Sequence, residues 1–167
     1  MHFNVEDYRI QRVLDYRKVE TLREAKMIWV KRDTQINPLL KEPIDCSRKS
    51  DQLFRAVFPV QIDVQEAMVI IGLNRANFYI GHFILSIGGT SGTFCDAKIA
   101  FGHLLLMGAS GFVMAHNHPS GQLRPSGNDT TLTRKYSQFG EMIECPLLDH
   151  LILTEESYYS FADNQLL

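Results

Sequence analysis

Residues 116–129 read HNHPSGQLRPSGND and follow directly on a short apolar run. In extended backbone, side chains two positions apart point to the same side, so the rings of His116 and His118 can converge on one ion. Asp129 can supply a carboxylate oxygen from the first turn of a helix that the sequence predicts at 129–139. We therefore predict that these three residues bind one metal ion.

Two imidazoles and one carboxylate favour zinc and leave a fourth tetrahedral position open to water, which is typical of catalytic sites. Zinc lowers the pKa of such a water from about 16 towards about 7. A simpler interpretation is that Ser126 only caps a helix and that the helix dipole favours Asp129. The two interpretations are compatible, because a cap at Ser126 fixes the turn that presents Asp129.

The rest of the chain predicts an α/β domain. One helix begins near Ser47 or Ser50, either of which can serve as its N-cap, and ends before Pro59. Apolar runs and turn residues predict strands at 67–71, 78–87, 112–115 and 147–153, the first two as a hairpin, and further helices at 97–107 and 129–139. Alternating strands and helices of this kind form two or three packed layers.

Length and composition indicate one domain. The 167 residues are 45% hydrophobic, which is enough for a core, and no stretch approaches the roughly 20 apolar residues that cross a bilayer. The chain starts with acids and without an apolar run, so we expect no secretion signal. Three widely spaced cysteines, Cys46, Cys95 and Cys145, predict reduced thiols. We therefore expect a cytoplasmic protein with no membrane partner.

Charge is distributed unevenly along the chain. Residues 1–50 hold 11 of the 17 Lys and Arg and 8 of the 19 Asp and Glu, so they carry +3 and the remainder carries -5. A basic segment can contact a phosphate backbone, but here acids interleave the bases, which is typical of an ordinary solvated surface. The charge pattern therefore gives DNA binding only weak support.

The spacing of H-x-H, seven residues and S-x-x-D matches the JAMM motif of JAB-domain metalloproteases. The run HNHPSG, the LLDH sequence at 147–150 and the aromatic residues at 158–161 resemble the RadC branch of that superfamily. The resemblance covers residues 44–167 and leaves residues 1–43 as a basic-leaning N-terminal extension. It implies the JAB/JAMM (cytidine deaminase-like) three-layer fold, a mixed β-sheet flanked by helices.

The resemblance also implies roles for individual residues. Glu66 matches the general base, which takes a proton from zinc-activated water and passes it to the leaving amine. Asp63 is the nearest alternative carboxylate. Ser126 matches the serine that stabilises the oxyanion. The implied protein is a zinc-dependent hydrolase of amide or isopeptide bonds, acting on a peptide or protein.

The roles of two residues in the LLDH sequence stay open. Asp149 and His150 can orient a ligand histidine from behind, or they can have a purely structural role at the end of a strand. Ser120 is expected to be a turn residue. His2, His82 and His103 lie outside any motif and are expected to be structural.

Two other functions remain as alternatives. One is a DNA-associated repair or recombination factor, or a nuclease, in line with the family's DNA-repair label; the other is a zinc-bearing scaffold without turnover. The family's N-terminal helix-hairpin-helix module needs glycine, and the first glycine here is Gly72, so we expect that module to be absent. A base deaminase is not expected, because the H-x-E and P-C-x-x-C elements are missing.

Overall fold

The computed structural model of the chain describes residues 39–89 and 94–167. After a 3-10 turn at Leu39–Lys41, the helices in these ranges are α1 (Ser47–Val57), α2 (Ala97–Met107) and α3 (Gly127–Met142). The strands in these ranges are β1 (Ala67–Leu73), β2 (Tyr79–Ile87), β3 (Gly111–Asn117), β4 (Leu147–Leu153) and β5 (Tyr158–Ser160).

The five strands form one mixed sheet in the order β2-β1-β3-β4-β5. The central pair, β3 and β4, is parallel, and the other neighbouring pairs are antiparallel. Parallel neighbours need a crossover between them, and α3 provides it. The predicted hairpin is present as β1 and β2, and the predicted mixed sheet is confirmed.

Helices cover both faces of the sheet. Since side chains alternate along a strand, β1, β3 and β4 each contribute apolar residues to two separate layers. On one face, Leu53 and Phe54 of α1 belong to the same buried cluster as Val113 of β3. On the other face, Phe101 of α2 packs edge-on against Phe112 of β3, with ring centroids 5.8 Å apart. The predicted three-layer arrangement is therefore confirmed.

Several boundaries differ from the sequence predictions. The N-cap of α1 is Cys46, which makes no side-chain cap, so neither Ser47 nor Ser50 is the N-cap. Helix α2 matches its prediction at both ends, because Asp96 caps its start and Gly108 ends it with φ +64°. Strand β3 runs on through His116 and Asn117. Helix α3 begins two residues earlier and ends three residues later than predicted, and β5 is an additional strand.

None of the helices in the described ranges is long and apolar enough to cross a bilayer. Cys46, Cys95 and Cys145 are free thiols, as their spacing predicts. The predicted N-terminal extension, residues 1–43, falls largely outside the described residues, as does His2.

Candidate metal centre

His116 reaches the site from inside the sheet. It is the second-last residue of β3, lies opposite Met68 of β1 and Ile152 of β4, and is 1% exposed. Its position in the strand points its ring to the face that α3 covers, where it contacts His150. Burial on this face therefore fixes the direction of the ring before any ion binds.

His118 lies one residue beyond β3 and is held by the loop. Its backbone N–H donates to the carbonyl of Leu153 at 2.9 Å, which continues the β3–β4 pairing past the end of the strand. A turn follows at Pro119 and Ser120, as predicted for Ser120, and Gly121 takes φ +75°. The loop then returns, and the carbonyl of Gln122 accepts a hydrogen bond from Nδ1 of His118 at 2.6 Å.

Asp129 is presented by the first turn of α3. The hydroxyl of Ser126 accepts from the Asp129 N–H at 3.1 Å, and the Asp129 carboxylate accepts from the Ser126 N–H at 2.7 Å. This reciprocal pair is a capping box, so the predicted cap at Ser126 is confirmed. The same capping box orients the Asp129 carboxylate towards the two histidines.

The three side chains converge on one point. Nε2 of His116 lies 3.0 Å from Nε2 of His118 and 3.1 Å from Oδ1 of Asp129, and Nε2 of His118 lies 3.6 Å from Oδ2 of Asp129. Donors at zinc bond lengths of about 2.0–2.2 Å in a tetrahedral site lie roughly 3.3–3.6 Å from one another. Within the described residues, these are the three that form a group able to hold a metal ion.

The protonation of the two rings supports a cation at this point. A carbonyl can only accept, so the proton of neutral His118 lies on Nδ1, against Gln122, and Nε2 presents a lone pair. Nδ1 of His116 faces Nε2 of His150 at 2.9 Å, so a proton on that nitrogen leaves the second lone pair at the same point. Two lone pairs and a carboxylate suit a divalent cation.

The charge of Asp129 also favours a cation at this site. Burial alone would raise the pKa of Asp129, but the neighbouring His116 and His118 side chains and the hydrogen bond from Ser126 hold it well below its usual range. Asp129 is therefore ionised at neutral pH. The hydrogen bond with Asp129 raises the pKa of His118, against the effect of burial. In the absence of a metal, a proton on His118 is thus the competitor for the site.

Glu66 lies directly before β1, near His118. β1 and β3 are antiparallel, and Met68 lies opposite His116. Two residues beyond this pair, each just past the end of its strand, lie Glu66 and His118. The Glu66 carboxylate contributes to the raised pKa of His118. Asp63 is exposed in the loop before β1 and lines a separate shallow depression with Arg55 and Glu155.

Asn117 fixes the backbone around Glu66, and sequence reasoning missed it. Its side chain is fully buried and accepts from the Ala67 N–H at 2.8 Å. Its amide also donates to the carbonyls of Gln65 at 2.8 Å and Ile62 at 2.6 Å. These bonds lie on both sides of Glu66 and join it to the strand that carries His116. The position of Asn117 between the two histidines is the signal that could have found it.

The structure separates the two residues of the LLDH sequence whose roles were open. His150 lies behind His116 and also contacts the Thr133 hydroxyl through Nδ1 at 2.7 Å. Burial lowers the pKa of His150 well below its usual value, with a further contribution from His116, so the ring is neutral. Asp149 points away from the site and binds the segment that follows β5.

Comparison with known proteins places this site in a family. A family model described as RadC-like JAB domain matches residues 44–166. A UPF0758 protein of Flavobacterium johnsoniae is 44% identical over 98 residues, which are 59% of this chain and 43% of the relative. A UPF0758 protein of Porphyromonas gingivalis is 36% identical over 129 residues, 76% of this chain and 56% of the relative. The chain spans about half the length of these curated relatives.

The matched residues make up most of the chain and include every side chain of the site described above. The chain therefore belongs to the family of RadC-like JAB domains.

Proposed function

We propose that this protein is a zinc-dependent hydrolase of the JAMM type that cleaves an amide or isopeptide bond in a peptide or protein. The observation that carries the proposal is the convergence of two imidazole lone pairs and an ionised carboxylate within 3.0–3.6 Å at the end of β3. Family membership supports it, and so does the Glu66 carboxylate, which lies close enough to His118 to contribute to its raised pKa.

His116, His118 and Asp129 would hold the ion. Bound zinc would supply a Lewis acid that makes water acidic near neutral pH. Glu66 takes a proton from the attacking water at its carboxylate as the water oxygen bonds to the carbonyl carbon. It then delivers that proton to the leaving nitrogen when the C–N bond breaks. One carboxylate thus serves both proton transfers.

Ser126 is the proposed donor to the oxyanion. Its oxygen accepts the Asp129 N–H within the capping box, so its own hydroxyl proton is not used there. Ser126 is exposed at the mouth of the site, where a substrate carbonyl can reach it. Donation of this proton to the developing negative charge is worth a few kcal/mol in comparable sites.

The first test is zinc content by elemental analysis of protein purified without added metal. We expect about one zinc per chain in the parent and none in a folded His116→Ala/His118→Ala variant. The zinc-loaded parent is then incubated with a library of peptides and lysine isopeptides. Glu66→Gln should retain zinc and lose at least 100-fold in cleavage rate, whereas Asp63→Asn, the matched control, should cleave like the parent.

Three results would overturn the proposal. A parent that holds no zinc, even after zinc is added back, would mean that the motif forms only a capped loop. A zinc-loaded parent whose products are the same in Glu66→Gln would remove Glu66 as the base. Glu66-dependent cleavage of DNA, without cleavage of peptides, would establish the nuclease alternative in place of this proposal.

A further inference from the structure

Behind the metal centre, a line of three hydrogen bonds runs from a ligand ring to the backbone of another ligand. Nδ1 of His116 contacts Nε2 of His150 at 2.9 Å, and Nδ1 of His150 contacts Oγ1 of Thr133 at 2.7 Å. Oγ1 of Thr133 in turn donates to the backbone carbonyl of Asp129 at 2.6 Å. We propose that His150 and Thr133 are positioning residues that fix the proton of His116 on Nδ1 and so keep Nε2 free for metal.

We assign the direction of each proton in these three hydrogen bonds from the last one, between Thr133 and Asp129. The Asp129 carbonyl can only accept, so the single hydroxyl proton of Thr133 is committed to it. Thr133 must therefore accept from His150, which places the proton of that ring on Nδ1. Nε2 of His150 then carries a lone pair and accepts from Nδ1 of His116. The remaining lone pair of His116 then faces the candidate metal centre. Oδ1 of Asp129 lies 3.1 Å from that nitrogen and would accept a proton there, so the proposal is that the hydrogen bonds behind His116 hold its proton on Nδ1 against this carboxylate.

Burial excludes water that could otherwise exchange donor and acceptor roles among His116, His150 and Thr133. His150 is fully buried and Thr133 is 1% exposed. Phe161 stacks on the His150 ring, with centroids 4.8 Å apart and planes 7° apart, which holds the ring in the orientation that the line requires. The hydrogen bonds connect His116 in β3 to the backbone of Asp129 in α3, so the same line also couples the two elements that supply metal ligands.

The two ligand histidines are fixed in different ways. His118 donates directly to a backbone carbonyl, which can accept a hydrogen bond but cannot donate one. His116 donates to another histidine, which can accept or donate, so its proton depends on a group two contacts away. Removing the Thr133 hydroxyl should release His150 to carry its proton on Nε2. Nδ1 of His116 must then accept, and the proton of His116 moves to the nitrogen that faces the metal.

This inference rests on the proposed metal site and is tested with Thr133→Val, which keeps the shape of the side chain. Zinc affinity is measured by competition with a chromophoric chelator. We expect Thr133→Val to weaken zinc binding by tenfold or more, a typical effect of losing a partner behind a ligand. Thr133→Ser restores the hydroxyl and should restore affinity. Thr131→Val is the matched control, since Thr131 makes the same type of bond to Gly127 on the exposed side of α3.

The second readout is made without zinc. In the metal-free parent at neutral pH, ¹⁵N NMR of the imidazoles should show His116 and His150 protonated on Nδ1 and bare on Nε2. In metal-free Thr133→Val, both protons should move to Nε2. A parent with His116 protonated on Nε2 would overturn the inference, as would a Thr133→Val protein with unchanged tautomers and parent zinc affinity.

The two proposals fail separately. If the parent shows the expected tautomers but binds no zinc, the proposed function is refuted. The proton positions proposed for His116 and His150 are then still supported. If Thr133→Val binds zinc as tightly as the parent and both proteins have the same tautomers, the positioning role of His150 and Thr133 is refuted. The proposed metal site is then unaffected.

Discussion

Asp149 is a buried carboxylate that joins the end of the chain to the sheet. Its oxygens accept from the N–H of His150 at 2.7 Å, the hydroxyl of Ser160 at 2.7 Å and the N–H of Ala162 at 3.0 Å. All three are donors, and together they hold the turn that follows β5. This is the strand-end role that the sequence left open for Asp149, and it keeps Phe161 in place against His150.

The charge of Asp149 predicts a pH dependence of stability. Burial raises its pKa above the usual value, although the hydrogen bond from Ser160 and those from the backbone lower it. A raised pKa in the folded state means that the folded protein binds more protons, so the free energy of unfolding falls as pH rises from about 3.8 through the raised value. Asp149→Asn removes this titration and keeps the shape.

We therefore expect the parent to lose stability relative to Asp149→Asn as pH rises through that window, by at most about 1.4 kcal/mol per pH unit. Urea denaturation from acid to neutral pH, with a chelator present, measures the difference. Glu156→Gln, in the exposed turn after β4, is the control and should show no such trend. A parent that gains stability over Asp149→Asn with rising pH would contradict the sign, because the hydrogen bonds would then outweigh burial.

Among the elements, α3 packs more closely than its sequence indicates. Gly140 lies near the C-terminal end of this helix, where the chain turns back towards β4. A Cβ atom built there would lie 2.5 Å from the carbonyl oxygen of Cys145 and 3.2 Å from the backbone nitrogen of Leu147. Both are backbone atoms, so they cannot move aside as a flexible side chain would.

Two glycine substitutions should therefore have opposite signs. In a helix interior, alanine is favoured over glycine by about 1 kcal/mol. Gly102 of α2 has no atom within 4 Å of an added Cβ, so Gly102→Ala should raise the free energy of unfolding by up to about 1 kcal/mol. Gly140→Ala should lower it by about 1–3 kcal/mol, because the close contact forces the backbone apart. Denaturant titrations measure both, and a Gly140→Ala protein as stable as the parent would mean that α3 shifts freely.

For the whole molecule, the metal centre is where three separate parts of the fold meet. His116 comes from β3, His118 from the loop and Asp129 from α3. In the unfolded chain the H-x-H pair stays close, but Asp129 is no longer held beside it by the helix cap. Zinc should therefore bind the folded state more tightly, and binding to the folded state alone adds to stability.

Zinc should accordingly raise the free energy of unfolding of the parent, by about 2.7 kcal/mol at a free concentration 100 times the dissociation constant. Urea denaturation with buffered zinc or with chelator measures the effect. His116→Ala/His118→Ala should show none, and His103→Gln, in α2 and outside the candidate metal group, should behave like the parent. Equal stabilisation of the double variant would mean that zinc acts at another place.

The local chemistry of this protein was readable from the sequence alone. An H-x-H pair in extended backbone and an S-x-x-D helix start are short-range arrangements, so their spacing predicted both the ligand group and the capping box. The ends of α2 were equally local, because Asp96 and Gly108 act within one turn. The assignment of Glu66 required a family resemblance, since no local pattern marks a glutamate at the start of a strand.

Tertiary structure decided what joins these local parts. Glu66 comes near His118 because β1 pairs with β3, and the register of that pair depends on which face of each strand is buried. Thr133 and His150 meet because α3 packs over β4, and nothing within either segment predicts that contact. The sequence by itself determined the candidate ligand group and its helix cap, because these interactions span a few residues. The approach of Glu66 to His118 and the hydrogen bonds behind His116 were settled only by packing, because they join residues that are close in space and distant along the chain.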